Sequence, residues 1–511
     1  MSIPLAIYWI KRDFRLHDNP ALTQALQECD NVVPLYILEP SFLTAPETSA
    51  FHVHAVTDAL HDLRKKFQKQ KKDVAVIRGA VISTLELLYK KKKFQKIYAH
   101  EEIGVERTFA RDRAVIDWCK HKNIDFIELP QTGVFRRLTD RNKRHLDWKK
   151  FMLTAALPAP TNLEKCTIPK EWKGLYLPKR KSVKLDDLGF KLTAEQKKQV
   201  QSVSETAAHK TMNSFLTERG LAYRGGISSP LTAFTAGSRM SVHLAWGTTT
   251  GRTLYQKTQA RIEELKILKA AGDPNAGKWS MSLRSFLSRL HWRDHFIQRL
   301  ESDPSMEFRA LNPAYEDLEY DNNPKFLEAW KTGQTGYPMV DACIRCLQTT
   351  GFVNFRMRAM LTSFGCHTLH LSWKLLDHPM AKLYTDYEPG IHLSQLQMQA
   401  GVVGINTLRI YSPTKQIIDH DPDTIFVKQW VAELRKHTPE DIIGHEENPV
   451  KGYAPPMVER KEANKEMRQR YFGIRKKEGY RKIAAKVYEK HGSRRMKPKK
   501  KKKTVSKKTT S

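Results

Sequence analysis

Five short runs rich in Val, Ile, Leu and Tyr, at residues 3–10, 31–38, 73–78, 96–101 and 124–129, are separated by longer stretches whose apolar residues recur at helical spacing. Strand alternating with helix predicts an α/β N-terminal domain over residues 1–130, built on a parallel, Rossmann-like sheet. Asp18-Asn19-Pro20 predicts the start of the first helix, because an Asn or Asp oxygen can accept from free amides and Pro tolerates the first helical position. No Gly-x-Gly-x-x-Gly follows the first strand, so a dinucleotide site of the usual kind is not expected there. From 131 to 210 the periodicity fades, Pro158, Pro160, Pro169 and Pro178 recur, and Lys179-Arg180-Lys181 reads as exposed, which predicts an interdomain connector. Helical patterns run from 211 to 490, predicting an all-α second domain without internal repeats. Residues 491–511 are low-complexity and basic, and are expected to be disordered.

One helical run departs from simple amphipathicity. Met357, Met360, Leu361 and Phe364 make it apolar, yet it carries Arg356 and Arg358 and precedes a Gly/Pro-interrupted segment with Asp386 and Glu388. A guanidinium among apolar residues is costly unless it meets a carboxylate, and Asp386 is the nearest candidate. The plain alternative is a pair of solvated arginines. Upstream, Tyr223-Arg224-Gly225-Gly226 and Gly237-Ser238-Arg239-Met240-Ser241 place small hydroxyl residues and backbone amides at a helix start, where a pyrophosphate can be held. On its own that pattern is more often an ordinary cap.

Composition narrows the partners. Of 511 residues 40% are hydrophobic, and no apolar run approaches a membrane span of roughly 20 residues, so a soluble protein is expected. The start shows no basic leader before a long apolar region, which points to the cytoplasm in a bacterium and the nucleus in a eukaryote. Six scattered cysteines lack a disulfide rhythm. Cys343 and Cys346 have ligand-like spacing but share one predicted helix with no second pair, so they read as buried small residues and no metal is expected. Net charge is +32, and setting aside the ten Lys/Arg of residues 491–511 still leaves +22, so a polyanion such as nucleic acid is the expected partner.

Tyr8-Trp9-Ile10-Lys11-Arg12-Asp13-Phe14-Arg15-Leu16-His17-Asp18-Asn19-Pro20, Thr335-Gly336-Tyr337-Pro338-Met339-Val340-Asp341, Gly351, the Arg356/Arg358 pair, Trp373, Asp386 and Arg409-Ile410-Tyr411-Ser412-Pro413 stand in one order. Together they resemble the DNA photolyase/cryptochrome family, over the chain from its start to about residue 435. The resemblance implies FAD as cofactor, with Tyr223, Gly237, Ser238, Arg239, Met240 and Ser241 on its diphosphate. It places Arg358, Asp386, Tyr387 and Glu388 at the flavin ring, Phe286 among the cofactor-binding residues, and His392 near flavin N5, where the family keeps Asn. It implies Trp292 as the face on which a damaged base stacks, with Arg289, Arg293, Phe355, Arg356 and Met398 around the lesion. Trp373 aligns with the second tryptophan of the family's electron-transfer chain. A second, light-harvesting chromophore of unknown identity is implied for the N-terminal domain.

The same comparison exposes departures. Arg289 stands where the family usually has Glu, Phe355 where it has Asn or His, and Leu396 and Met398 replace two tryptophans, so a divergent branch is implied. The resulting expectation is a monomeric, FAD-dependent photolyase acting on UV-damaged DNA, with cyclobutane pyrimidine dimers favoured over (6-4) products. A blue-light-sensing cryptochrome without repair activity is the alternative, and a nucleic-acid-binding protein without flavin is a third reading.

Overall fold

The computed structural model describes residues 5–178 and 181–492. Lys179, Arg180 and the basic arm beyond Gly492 lie outside the described residues.

Strands β1 (Leu5–Ile10), β2 (Asn31–Leu38), β3 (Ala75–Arg78), β4 (Lys96–His100) and β5 (Asp125–Leu129) form one sheet in the order β3-β2-β1-β4-β5. Every pairing is parallel, with Tyr8 opposite Pro34 on one side and Tyr98 on the other. β1 is buried along its whole length because both sheet faces are covered. Ala6, Tyr8 and Ile10 pack under α1 (Pro20–Glu28) and α2 (Ala50–Lys69), whereas Leu5, Ile7 and Trp9 pack under α3 (Val81–Lys91) and α4 (Glu106–Lys122). Asn19 caps α1 by accepting from Leu22 N at 3.0 Å.

The segment expected as a connector is packed against both domains. It contains α5 (Arg144–Leu153), Trp172 is fully buried beside α3 and donates to the Leu88 carbonyl at 3.1 Å, and Cys166 bridges to Val32 at the sheet edge. Helix α6 (Glu205–Thr217), which begins ahead of residue 211, packs with the helical domain.

Its other principal helices are α7 (Ser241–Ala245), α8 (Gly251–Ala270), α9 (Ala276–Ser302), α10 (Pro338–Thr350), α11 (Phe355–His367), α12 (Trp373–Leu383), α13 (Pro389–Gln399), α14 (Arg460–Lys476) and α15 (Tyr480–His491). The largest core lies among α10 to α15, where Tyr471, Ile474, Tyr480 and Val487 bury the last two helices on the body. Cys343 and Cys346 are buried in it as free thiols.

The two domains are joined by charge and by close backbone contact. Glu205, at the start of α6, accepts from Leu16 N (3.0 Å), His17 N (2.9 Å) and Lys66 Nζ (2.5 Å), while Asp18 pairs with Arg252. Gly247, at φ +66°, lies so near the first strand's exit that a Cβ would stand 1.9 Å from the Arg12 carbonyl oxygen. That approach lets Arg12 Nε donate to the Ala245 carbonyl at 2.8 Å.

Candidate flavin and nucleic-acid site

α9 and α13 pack closely at Gly390, where any Cβ would fall 2.6 Å from Ile297 Cα. Between these helices, α7 and α11 lies a cavity of about 780 Å³, within the usual range of ligand sites. The residues singled out in the sequence converge on it with one exception. Tyr223, Gly237, Ser238, Arg239, Met240, Ser241 and Phe286 line one part; Arg358, Asp386, Tyr387, Glu388 and His392 another; Arg289, Trp292, Arg293, Phe355, Arg356 and Met398 a third. Trp373 is not among the lining residues: it is buried at the start of α12 in the main core, whereas Leu396 and Met398 do reach the cavity.

Arg358 and Asp386 meet as a two-bond pair, Nη1 to Oδ1 at 2.9 Å and Nη2 to Oδ2 at 3.2 Å. Arg358 Nε donates to the Val353 carbonyl, and its guanidinium covers the Tyr384 ring at 4.1 Å. Burial alone would raise the Asp386 pKa, but the charge and bonds of Arg358, with help from the Ser241 hydroxyl, hold it below the usual carboxylate value. Glu388 is turned toward the other domain, with Oε2 3.3 Å from Arg12 and 3.5 Å from Arg293. His392 Nε2 bonds Asp377 Oδ1 at 2.9 Å, which fixes its ring.

No carboxylate among the described residues forms an ion pair with Arg239. Its guanidinium lies over the Phe352 ring at 3.6 Å, and burial pushes its pKa down to about 10. Several buried polar atoms around the cavity have no hydrogen-bond partner among the described residues: Arg239 Nη1, Asn354 Oδ1, Arg356 Nε and Glu388 Oε1. Orphaned donors and acceptors of this kind call for a polar ligand. With a pocket of this volume, the hydroxyls of Ser238 and Ser241, and the Arg358–Asp386 pair, the residues present fit a dinucleotide.

The cavity also has walls that the sequence reading did not assign. His295, Phe296 and Arg299 extend the α9 face beyond Trp292, and Trp292 stacks on Phe296 at 5.7 Å with 29° between planes. Their spacing of three, four and seven residues from Trp292 was the available signal. Phe355 is 52% exposed and Arg289 is exposed, so this side of the cavity meets solvent.

At the sheet, a crevice of about 100 Å³ lies at the ends of β1 and β2, beside the loop that follows β4. It is crossed by Arg111, bonded to Glu39 (2.7 Å), Glu102 (2.6 Å) and Asp112 (2.8 Å), and by Arg107 bonded to Glu47 (2.7 Å). No described helix is long and apolar enough to cross a membrane.

Two family models match this architecture: the DNA photolyase domain over residues 6–147 and the FAD binding domain of DNA photolyase over residues 286–473. The chain belongs to the photolyase/cryptochrome family. FAD is the cofactor of its helical domain. A deoxyribodipyrimidine photo-lyase of Thermus thermophilus is 27% identical over 457 residues, covering 86% of this chain and 95% of that protein. A cryptochrome DASH of Gloeobacter violaceus is 26% identical over 456 residues, covering 85% of this chain and 87% of its own. An archaeal photolyase structure from Sulfolobus tokodaii, described with two FAD molecules, superposes with a TM-score of 0.76 at 24% identity, covering 92% of this chain and 100% of that one.

Proposed function

We propose that the protein is a light-driven DNA photolyase that restores cyclobutane pyrimidine dimers. The observation that carries this reading is the continuity of one cavity, in which the Arg358–Asp386 pair shares a single space with the Trp292–Phe296 stack and the solvent-facing Arg289. FAD, when bound, supplies light absorption and one-electron chemistry.

The chain's own residues do the rest. Gly237, Ser238 and Ser241, with Arg239 and Tyr223, hold the diphosphate, and Arg358–Asp386 fixes the polar edge of the ring system. Burial around Asp386, Tyr384 and His392 keeps water away from that region. Trp292 gives a swung-out base a stacking surface, and Phe355 an apolar wall. Arg289 carries donors only, so it suits the carbonyl oxygens of a thymine pair. No histidine stands at Phe355 to act as an acid, which favours the cyclobutane lesion.

The test is to illuminate the reduced, flavin-loaded protein with an oligonucleotide carrying one thymine dimer, and to follow recovery of base absorbance. Recovery that needs light supports the reading. Bound flavin with light-induced spectral change but no recovery moves the protein to the signalling cryptochromes, a reading favoured by Arg289 in place of an acceptor.

A further inference from the structure

Arg289, Trp292, Phe296 and Arg299 follow one another along α9 at three- and four-residue steps, so they share one face of the helix. The two arginines are separated by about 15 Å of helix axis, with the stacked Trp292–Phe296 pair between them. Arg299 is 4% exposed and lines the cavity, yet among the described residues its Nε and Nη1 have no hydrogen-bond partner, and neither has Nε2 of the adjacent, buried His295. Nearby Arg144, also 4% exposed, likewise leaves Nε and Nη2 unpaired among the described residues, and its Nη1 lies 3.4 Å from His291 Nε2.

Two of the acids close by are already taken. Asp294 accepts from Trp148 Nε1 (2.9 Å) and Arg293 (2.8 Å), and Asp303 accepts from Lys490 (2.9 Å) and Ser305 (2.5 Å) and bonds His491 (3.3 Å). Glu301, two residues on, is not bonded to Arg299: burial raises its pKa to about 7 against the charge of Arg136, and its Oε2 has no hydrogen-bond partner among the described residues. With no counter-charge in contact, burial and the charge of Arg141 push the Arg299 pKa down to about 10, and burial with Arg299, Arg144 and Arg141 pushes His295 down to about 2. A buried cation left in this condition is satisfied by an anion brought from outside.

We propose that the Arg299 end of the cavity is a phosphodiester-binding subsite, in which Arg299 and His295 hold one backbone phosphate of a nucleic-acid strand whose neighbouring bases lie against Trp292 and Phe296. The subsite rests on the nucleic-acid reading of the cavity given above. A strand is the better occupant than free phosphate because cation, two aromatic faces and second cation follow in the order of phosphate, base, base and phosphate.

The test needs neither light nor a lesion, so loss of repair and loss of the subsite are separate results. End-labelled thymidine tetranucleotides are titrated in the dark onto flavin-loaded wild type and Arg299→Gln, across a range of salt. One neutralised phosphate contact flattens the slope of log K against log salt by about 0.7 for a single strand. Arg299→Lys, which keeps the charge, restores it. A methylphosphonate walked along the oligonucleotide weakens wild type at one linkage and has no further effect at that linkage in Arg299→Gln.

Equal slopes in wild type and Arg299→Gln overturn the proposal, as does a methylphosphonate penalty at that linkage that is the same in both. If Arg299→Gln does not fold, as judged by flavin content and circular dichroism, the wild-type walk decides: a penalty concentrated at one linkage supports the subsite, and a penalty spread evenly overturns it. Thermal stabilisation by millimolar inorganic phosphate without any linkage dependence assigns the cluster to free phosphate and also overturns it.

Discussion

Asp386 keeps its charge in a largely buried setting because two parallel bonds from Arg358 outweigh the loss of water. Asp386→Asn leaves that guanidinium without its counter-charge, at a cost of roughly 3–5 kcal/mol for a broken buried pair. The expected outcome is loss of flavin during dialysis, read by fluorescence of the released cofactor. The folded-state pKa is depressed, so the stabilisation is complete above the ordinary Asp value of about 3.9 and disappears as pH falls below it toward the lowered value. Wild type and variant should therefore differ at neutral pH and converge only in acid. Trp292 lies in another part of the same cavity, and Trp292→Ala should weaken binding of dimer-containing DNA by roughly 1–3 kcal/mol while flavin content stays unchanged. Equal affinity in parent and variant would place the lesion elsewhere. Trp373 belongs to the core and not to the cavity wall, with Leu396 at the wall. Trp373→Phe should accordingly leave light-driven flavin reduction in the absence of DNA at the parental rate; a large loss would make Trp373 a relay.

At the scale of elements, a carboxylate at the first turn of α6 ties the two domains together. Glu205 bonds the His17 ring at 2.9 Å and accepts from Lys66 and from two backbone amides of the loop after β1, and although burial opposes its charge, these partners, the His17 side chain foremost, hold its pKa at about 2. Against the ordinary Glu value of about 4.3, this linkage is worth about 3 kcal/mol. Glu205→Gln should lower stability by that order at pH 7 in urea unfolding, and the gap should close as pH falls from about 4 toward 2. A gap independent of pH would mean that shape, not charge, joins the domains. Nothing local to residue 205 announces this role, since its partners Leu16, His17 and Lys66 are far away in the chain. The strands, by contrast, were legible because two-sided burial makes each a continuous apolar run, and the α1 cap because Asn19 acts within its own turn. The Arg358–Asp386 pair was legible as a charge stranded on an apolar helix. Arg299 was not, because a charged residue late in a long helix reads as solvated, and the groups whose charge couples to it, Arg141 and His491, come near it only in three dimensions.

For the molecule as a whole, the folded body is strongly cationic, and the ten Lys/Arg that follow Gly492 add to it. Two sources of electrostatic attraction for nucleic acid are therefore present, and their salt dependences separate them. Cations that neutralise phosphates release bound counterions, so each contact contributes about 0.9 to the slope of log K against log salt on duplex DNA. Deleting residues 493–511 removes none of the described residues and keeps the Lys490 and His491 contacts of α15 with Asp303. If those residues act as an arm, the truncated protein should bind undamaged duplex more weakly at low salt, with a shallower slope, while its flavin absorbance matches that of the full chain. The two proteins should then converge in affinity as salt rises, because the arm's contribution is the part that salt removes. An unchanged slope would assign the attraction to the body, and the search for contacts would return to the cations around the cavity, Arg289, Arg293, Arg356 and Arg299.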